Sequence, residues 1–151
     1  MVIQIDSREK DRAIRKIVEE FDRQGVKHPV SKLMVGDYMN YDNPRLIVDR
    51  KQNLSEVCSN VCQGHERFRR EILRARENEI QLVILVEHGG GICCLEDVIW
   101  WRNPRGGKSL QGEVLYKIMR TQERKYGIRY LFCDKRQTGR RIIEILSGGA
   151  V

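Results

Sequence analysis

The segment QLVILVE, residues 81–87, constrains the fold more than any other part of the chain. It is a continuous apolar run of strand length, and such runs are typical of strands that are buried on both faces of a sheet. Strand-like and helix-like segments alternate along almost all of the remaining sequence. This alternation favours an α/β class with a mixed central sheet flanked by helices.

Periodicity and stop signals define the other elements. An apolar stripe at residues 14–21 predicts a helix that ends near Gly25. The turn-forming residues 42–44 lie between the strand-like runs VGDYMNY and RLIVDRK, which predicts an antiparallel hairpin. The remaining predicted elements are strands at 2–5 and 128–133 and helices at about 54–62, 66–77, 95–101, 110–126 and 138–146, with Gly148 and Gly149 as the final stop.

Charge and cysteine content narrow the class of protein. Lys and Arg outnumber Asp and Glu by 28 to 21, a formal net charge of +7, which favours a polyanionic partner such as nucleic acid. The first residues lack the features of a signal peptide, and no apolar stretch reaches the length of a membrane span. The odd number of cysteines, five, favours reduced thiols. We therefore expect a cytoplasmic protein without membrane contact.

One constellation of residues predicts chemistry. Asp37 follows Gly36, and after eleven intervening residues comes Asp49-Arg50-Lys51 on the second strand of the predicted hairpin. Because side chains alternate along a strand, residues 49 and 51 point to one face and Arg50 to the other. The hairpin can also bring Asp37 beside Asp49, so two carboxylates and one ammonium group are predicted to converge.

Such a group suits metal-dependent phosphodiester hydrolysis, which needs charge neutralisation and an activated water. Mg²⁺ or Mn²⁺ prefers hard oxygen ligands and is commonly held by one or two carboxylates, a role for Asp37 and Asp49. Lys51 would orient the water or neutralise developing charge. Taken alone, the spacing also fits a salt-bridged hairpin surface without any catalytic role.

The motif resembles that of a known family, the xeroderma-pigmentosum group F (XPF) type structure-specific nuclease domain. The family signature is G-D-x(n)-E-R-K-x(3)-D, and this chain has Gly36-Asp37 and Asp49-Arg50-Lys51 in the same order. The segment Ile5-Asp6-Ser7-Arg8-Glu9 is similar to the D-x-R-E opening of that family. The resemblance covers roughly residues 3–87, and the segments EDVIWW, KYG and FCDK further on are compatible with a compact phage or prophage version.

The resemblance implies a restriction-endonuclease-like fold and metal-dependent endonuclease activity on DNA, with a preference for branched or flapped duplexes in repair or recombination. It assigns metal binding to Asp37 and Asp49, makes Lys51 the catalytic lysine and adds Asp6 as a further acidic member. It gives Arg8 and Arg50 a role in supporting the site or the phosphate. It also implies a homodimer and one nuclease domain over residues 1–151, with a motif-bearing core at about 3–87 and an extension at about 92–147.

Two positions depart from the family pattern. The motif's Glu is Asp49 here, one methylene shorter, and the motif's last Asp falls on Ser55. Glu56 stands next to it, but a shift of one residue on a helix moves a side chain about 100° around the axis. Ser55 therefore raises an alternative: a catalytically silent DNA-binding module of the same fold.

Basic residues on the predicted helix 66–77 offer a surface for DNA. Arg67, Arg70 and Arg74 are spaced to form one stripe aimed at phosphates. Interleaved glutamates also allow a solvated, locally paired face, but the nearby motif favours DNA contact. The adjacent Trp100 and Trp101 are interpreted either as half core and half interface or as a surface that stacks on DNA bases.

Other classes of function receive little support. The sequence Gly107-Lys108-Ser109 is similar to the end of a phosphate-binding loop. The first glycine of that motif, five residues before Gly107, is replaced by Arg102, so no nucleotide cofactor is expected. Cys58 and Cys62 fit an apolar helix face and lack the second pair that a zinc site needs. An RNA-binding or structural protein with a fortuitous hairpin is the third interpretation, and it predicts no divalent-ion binding.

Overall fold

A computed structural model, which describes residues 1–148, contains one five-stranded sheet with helices on both faces. The strands are β1 (Ile3–Ile5), β2 (Tyr38–Asn40), β3 (Asn43–Lys51), β4 (Gln81–Glu87) and β5 (Arg129–Cys133). The helices are α1 (Arg15–Arg23), α2 (Leu54–Val61), α3 (His65–Glu77), α4 (Gly112–Tyr126) and α5 (Thr138–Leu146). Within residues 1–148, none of the helices combines the length and the apolar character needed to cross a membrane.

The sheet is mixed, as the sequence predicts. Its strand order is β1-β2-β3-β4-β5, antiparallel from β1 to β3 and parallel from β3 to β5. Strand β3 is thus the boundary between the hairpin and the parallel part. Strand β4 lies between β3 and β5, and residues 82–87 are all buried, which explains its continuous apolar sequence.

Two apolar layers hold the helices on the sheet. Residues Leu82, Ile84 and Val86 of β4 pack into a core with α2, α3 and α4. Residues Val83 and Leu85 point to the opposite face and pack with α1 and α5. Full burial of each such aliphatic side chain contributes about 1.5–3 kcal/mol. The alternation along β4 therefore ties both helical layers to one strand.

The predicted elements agree with the structure except in three places. Strand β2 begins only at Tyr38, because Gly36 has a φ of 68° and interrupts the extended backbone. The predicted helix at 95–101 is a 3₁₀ helix over Leu95–Trp100. The predicted turn at residues 42–44 is shorter, because β3 already begins at Asn43. Helix α5 spans Thr138–Leu146 as predicted, and Gly149, one of its two predicted stop residues, lies outside the described residues.

Gly36 sets the turn that delivers Asp37 to the sheet. A Cβ at this position would lie 2.6 Å from Ile47 Cγ2 and 3.1 Å from the Val48 carbonyl oxygen. The positive φ and this close packing on β3 both require glycine. The glycine of the G-D motif is therefore a condition for the position of the aspartate.

We expect Gly36→Ala to lower the free energy of unfolding by about 2–4 kcal/mol, since it combines backbone strain with overpacking against Ile47. Gly25→Ala is the matched control: Gly25 has a φ of 70°, but a Cβ there meets nothing within 4 Å. Its expected cost is about 1 kcal/mol. Urea unfolding of both variants measures the difference, and equal costs would contradict the role of the packing at Gly36.

Candidate active site

The β2–β3 hairpin places Asp37 beside Asp49. The backbone N–H of Asp37 donates to the Val48 carbonyl oxygen at 2.9 Å, and Asp37 Oδ2 accepts the backbone N–H of Arg50 at 2.8 Å. Asp37 is thus held at both its main chain and its side chain by the strand that carries Asp49. The predicted convergence of the two carboxylates is what the hairpin produces.

Lys51 points to the same face of β3 as Asp49, as strand alternation requires. Its ammonium nitrogen lies 3.1 Å from Asp49 Oδ2 and 5.4 Å from the centre of the Phe68 ring. Burial lowers the pKa of Lys51, but Asp49, with smaller contributions from Glu56 and Glu71, more than offsets this effect, and the net shift is upward. Lys51 is therefore a buried cation that is fixed beside the carboxylate pair.

The carboxylate pair lacks full electrostatic compensation. Burial, followed by repulsion from Asp49, raises the pKa of Asp37 well above its ordinary value. Asp49 is only 5% exposed, and its Oδ2 has no hydrogen-bond partner within residues 1–148, so its contact with Lys51 is an ion pair of poor hydrogen-bond geometry. A hard divalent cation would relieve both defects, because carboxylate oxygens are the ligands that Mg²⁺ and Mn²⁺ prefer.

The donor set fits such an ion but does not form a complete cage. In residues 1–148, no three or more His, Cys, Asp or Glu side chains cluster closely enough to hold a metal by themselves. Mg²⁺ usually keeps several waters and uses one or two carboxylates together with substrate phosphate. The pair Asp37 and Asp49 matches that requirement.

Glu71 on α3 is a site residue that sequence reasoning missed. Its Oε1 accepts the backbone N–H of Gly36 at 3.2 Å, and its side chain lines the same cavity as Asp49 and Lys51. Burial raises the pKa of Glu71, and Asp49 raises it further. Glu71 is one of the glutamates interleaved with the arginine stripe, for which the sequence allowed a locally paired surface position. Its position three residues after the buried Phe68 instead places it beside the apolar face of α3.

These groups share one polar cavity of about 590 Å³. Its lining brings together the predicted metal ligands, the catalytic lysine and the arginine stripe of α3. The lining residues are Asp6, Arg8, Glu9, Gly36, Asp37, Asp49, Arg50, Lys51, Glu56, Asn60, Arg67, Phe68, Arg70, Glu71 and Arg74.

Asp6 lies at the edge of this cavity, and both of its carboxylate oxygens accept hydrogen bonds. Its carboxylate accepts the backbone N–H of Leu33 at 2.7 Å and of Arg8 at 3.1 Å, and the Arg8 guanidinium at 2.7 and 3.2 Å. Burial raises the pKa of Asp6, but these donors reverse the shift and lower it overall. With both oxygens occupied, Asp6 is placed to hold the chain around the site rather than to bind a metal. The Arg8 side chain remains 64% exposed and accessible to a phosphate.

Arg50 points to the opposite face of the sheet, into a buried ion-pair network. Its guanidinium donates to Glu9 Oε2 at 2.8 Å and to Glu87 Oε1 at 2.6 Å. Tyr38 donates its hydroxyl to Glu9, and Thr138 donates its hydroxyl to Glu87, each at 2.6 Å. The Arg50 side chain is 5% exposed and is paired with two carboxylates, which favours the expected role of Arg50 in supporting the site over the expected contact with phosphate.

Ser55, which stands in place of the motif's last Asp, and the neighbouring Glu56 line different cavities. Ser55 lines a separate small cavity beside Cys58, whereas Glu56 lines the cavity of the carboxylate pair. Glu56 Oε1 accepts the backbone N–H of Gln52 at 2.7 Å, and the Glu56 N–H donates to the Asn53 side chain at 2.8 Å. Asn53 therefore caps α2, and Glu56 in the first turn of the helix presents a carboxylate to the site.

Comparison with known protein families shows to which family this chain belongs. The model of the ERCC4 domain matches residues 5–146. The chain belongs to the ERCC4 domain family. This match extends beyond the region of residues 3–87 on which the sequence resemblance rests, and it confirms the predicted XPF-type nuclease domain.

Solved structures confirm the fold. XPF from Aeropyrum pernix is 24% identical, with a TM-score of 0.71 over 97% of this chain and 63% of that chain. The same protein in complex with DNA gives a TM-score of 0.67 at the same identity and coverage. This chain thus spans less than two thirds of the length of these structures. Its mixed sheet with flanking helices has the restriction-endonuclease-like fold. A search of curated proteins finds no match.

The raised pKa of Asp37 predicts how stability depends on pH. Where the folded chain binds more protons than the unfolded chain, stability falls as pH rises. We expect Asp37→Asn, which removes this charge, to raise the metal-free melting temperature at pH 7, with a gain that shrinks as pH falls toward the ordinary aspartate range and is absent below it. Thermal unfolding in EDTA tests this against Asp11→Asn, an exposed control. A lower melting temperature for Asp37→Asn at pH 7 would show that the charge is well compensated.

Proposed function

We propose that this chain is a divalent-metal-dependent DNA endonuclease that hydrolyses phosphodiester bonds, with a preference for branched or flapped duplexes. The observation that carries the proposal is the buried pair of Asp37 and Asp49 beside the Lys51 ammonium, in a cavity rimmed by arginines. Oδ2 of Asp49 is ion-paired with Lys51 but has no hydrogen-bond partner within residues 1–148. Membership of the ERCC4 domain family supports the same activity.

The side chains divide the work of hydrolysis. Asp37 and Asp49 would hold Mg²⁺ or Mn²⁺, which when bound supplies charge neutralisation and water activation. Lys51 lies against Asp49 and is fixed to orient the attacking water or to neutralise charge that develops on the phosphate. Glu71 adds a third carboxylate near the pair and fixes the Gly36 turn through its hydrogen bond. Asp6 and Arg50 act as supports that hold the two ends of this arrangement.

Arginines supply the surface for the DNA backbone. Arg67, Arg70 and Arg74 lie along α3 and line the cavity of the carboxylate pair, and Arg8 lies on its other side. Cations in this arrangement neutralise phosphates on either side of the scissile bond. The solved relative from Aeropyrum pernix is described in complex with DNA, which agrees with this assignment of the partner.

The proposal includes a homodimer whose interface involves the second half of the chain. Trp100 is 80% exposed and follows Ile99, which is 39% exposed, while Trp101 is buried. The tryptophan pair is thus half core and half surface, and an exposed apolar patch of this kind favours an interface. Light scattering at high protein concentration tests this part, and a monomer would contradict it.

A second candidate function is a catalytically silent DNA-binding module. The observation that favours it is Ser55, which stands in place of the motif's last Asp and lines a cavity away from the carboxylate pair. The presence of Asp37, Asp49 and Lys51 favours an active site instead. Two buried carboxylates that repel each other are unfavourable, and a module without catalysis does not require them. DNA binding without cleavage by the pure protein would favour the silent module.

Cleavage of labelled duplex, flap, fork and single-stranded DNA with Mg²⁺, Mn²⁺ or EDTA tests the lead proposal. We expect metal-dependent cutting of duplex-containing substrates that falls at least a hundredfold in Asp49→Asn and Lys51→Ala, because each removes charge stabilisation from the site. Lys32→Ala, at an exposed position, is the control and should cut normally. Cutting that survives EDTA, or that both site variants retain, would contradict the assignment.

The arginine stripe predicts a change in the salt dependence of binding. We expect Arg70→Gln with Arg74→Gln to weaken duplex binding and to reduce the slope of log affinity against log salt by about 1.8, from about 0.9 per lost phosphate contact. The exposed pair Arg12 and Arg140 carries the same charge on other surfaces and serves as the control. Equal slopes for both double variants would show that net charge, rather than the stripe, attracts DNA.

A further inference from the structure

A groove of about 400 Å³ lies between α3 and α4, separate from the cavity of the carboxylate pair. Its floor is apolar: Phe68 and Ile72 come from α3, and Ile118 comes from α4. Val114 stands at the wall and is 46% exposed, an unusual state for a branched apolar side chain beside a groove. Tyr126 closes the end of the groove at the last turn of α4.

Cations surround this floor. Arg69, Lys117 and Lys125 line the groove, and no carboxylate lines it within residues 1–148. Lys125 Nζ lies 5.3 Å from the centre of the Tyr126 ring. Arg69, followed by Lys125, lowers the pKa of the Tyr126 hydroxyl, as expected where the local potential is positive. A ligand that fills the groove must therefore combine flat or apolar groups with negative charge.

The groove adjoins the candidate active site. Phe68 and Asn60 line both the groove and the cavity that holds Asp49 and Lys51. The Lys51 ammonium lies 5.4 Å from the centre of the Phe68 ring, so this one aromatic side chain separates the two spaces. A chain molecule held in the cavity by a phosphate can continue into the groove past Phe68.

We propose that the groove binds unpaired nucleotides of a DNA strand that continues from the scissile phosphate. Exposed bases supply the flat apolar groups, which stack on aromatic side chains, and their phosphates supply the negative charge for the basic rim. A base-paired strand hides its bases and gains only the charge contacts. The inference rests on the proposed nuclease function and adds to it the place where the single-stranded branch of the substrate is bound, the groove between α3 and α4.

Charge argues against two other occupants. A second copy of this chain would bring a like-charged rim against the rim of the groove, which is unfavourable for a symmetric contact. An acidic amphipathic peptide has suitable chemistry, but it does not account for the position of the groove directly beside a phosphodiester site. The peptide is therefore kept as an outcome of the test.

The test measures DNA binding without cleavage. Fluorescence anisotropy of the full chain in EDTA compares a blunt 14-base-pair duplex with the same duplex carrying a tail of five thymidines. We expect wild type to prefer the tailed duplex by about tenfold, as stacking of one or more bases allows. Lys117→Glu with Lys125→Glu should abolish this ratio. Lys16→Glu with Lys27→Glu, an exposed pair on other surfaces, makes the same change in net charge and should keep the ratio.

Photocrosslinking locates the tail. With 5-iododeoxyuridine in the tail, we expect crosslinks on peptides that contain Phe68 or Tyr126. No tail preference in wild type, an equal ratio in both double variants, or crosslinks confined to other peptides would each overturn the inference. Binding of a glutamate-rich amphipathic probe peptide to wild type, lost in the groove variant while the tailed duplex shows no preference, would assign the groove to a protein partner instead.

The outcome is independent of the proposed activity. One outcome is metal-dependent cutting of duplex DNA that is lost in Asp49→Asn, together with no tail preference. This outcome would support the nuclease activity and contradict the binding of single-stranded DNA in the groove. A tail preference lost in the groove variant, together with no cutting by wild type, would keep the groove as a binding site and reject the nuclease. Thermal unfolding of both double variants checks that each is folded.

Discussion

Repulsion between the buried carboxylates of Asp37 and Asp49 is the interaction on which the arrangement of this molecule depends. Two like charges out of water are unfavourable unless cations or hydrogen-bond donors compensate them. The hairpin supplies a backbone donor from Arg50 and the ammonium group of Lys51, but the Asp49 oxygen that faces Lys51 has no hydrogen-bond partner within residues 1–148. The fold therefore holds incompletely compensated negative charge in place, and in the proposed function this charge is what attracts the divalent ion.

Strand β3 can hold the carboxylate pair because the charges on its two faces are paired independently of each other. Arg50 points away from the carboxylate pair and is neutralised by Glu9 and Glu87, whose own oxygens are occupied by the hydroxyls of Tyr38 and Thr138. That network ties β3 to the turn before α1, to β4 and to α5. Breaking a buried pair of this kind is strongly destabilising, so Arg50 fixes the strand from the face opposite to the chemistry.

Patterns local in sequence predicted most of the fold and the centre of the site. The apolar run of β4, the helical spacing of α1 and the turn at residues 42–44 depend on neighbours a few residues apart, and alternation along β3 placed Lys51 beside Asp49. The partners of Arg50 and the approach of Glu71 could not be predicted, because they depend on packing between segments that are distant in the chain. Asp6 shows the same limit: only the position of Leu33 reveals that its carboxylate is fully occupied.

Asp49 is shorter than the glutamate of the family motif, but carboxylates from two helices line the same cavity. Glu71 of α3 and Glu56 of α2 both line the cavity of the carboxylate pair, although neither follows the spacing of the motif. Both are anchored by main-chain N–H groups, Glu71 by Gly36 and Glu56 by Gln52. Because Glu71 reaches the cavity from a separate helix, the negative charge around the proposed metal position depends on tertiary packing as well as on the motif. A departure from the signature at one position therefore does not by itself remove the acidic character that a metal site requires.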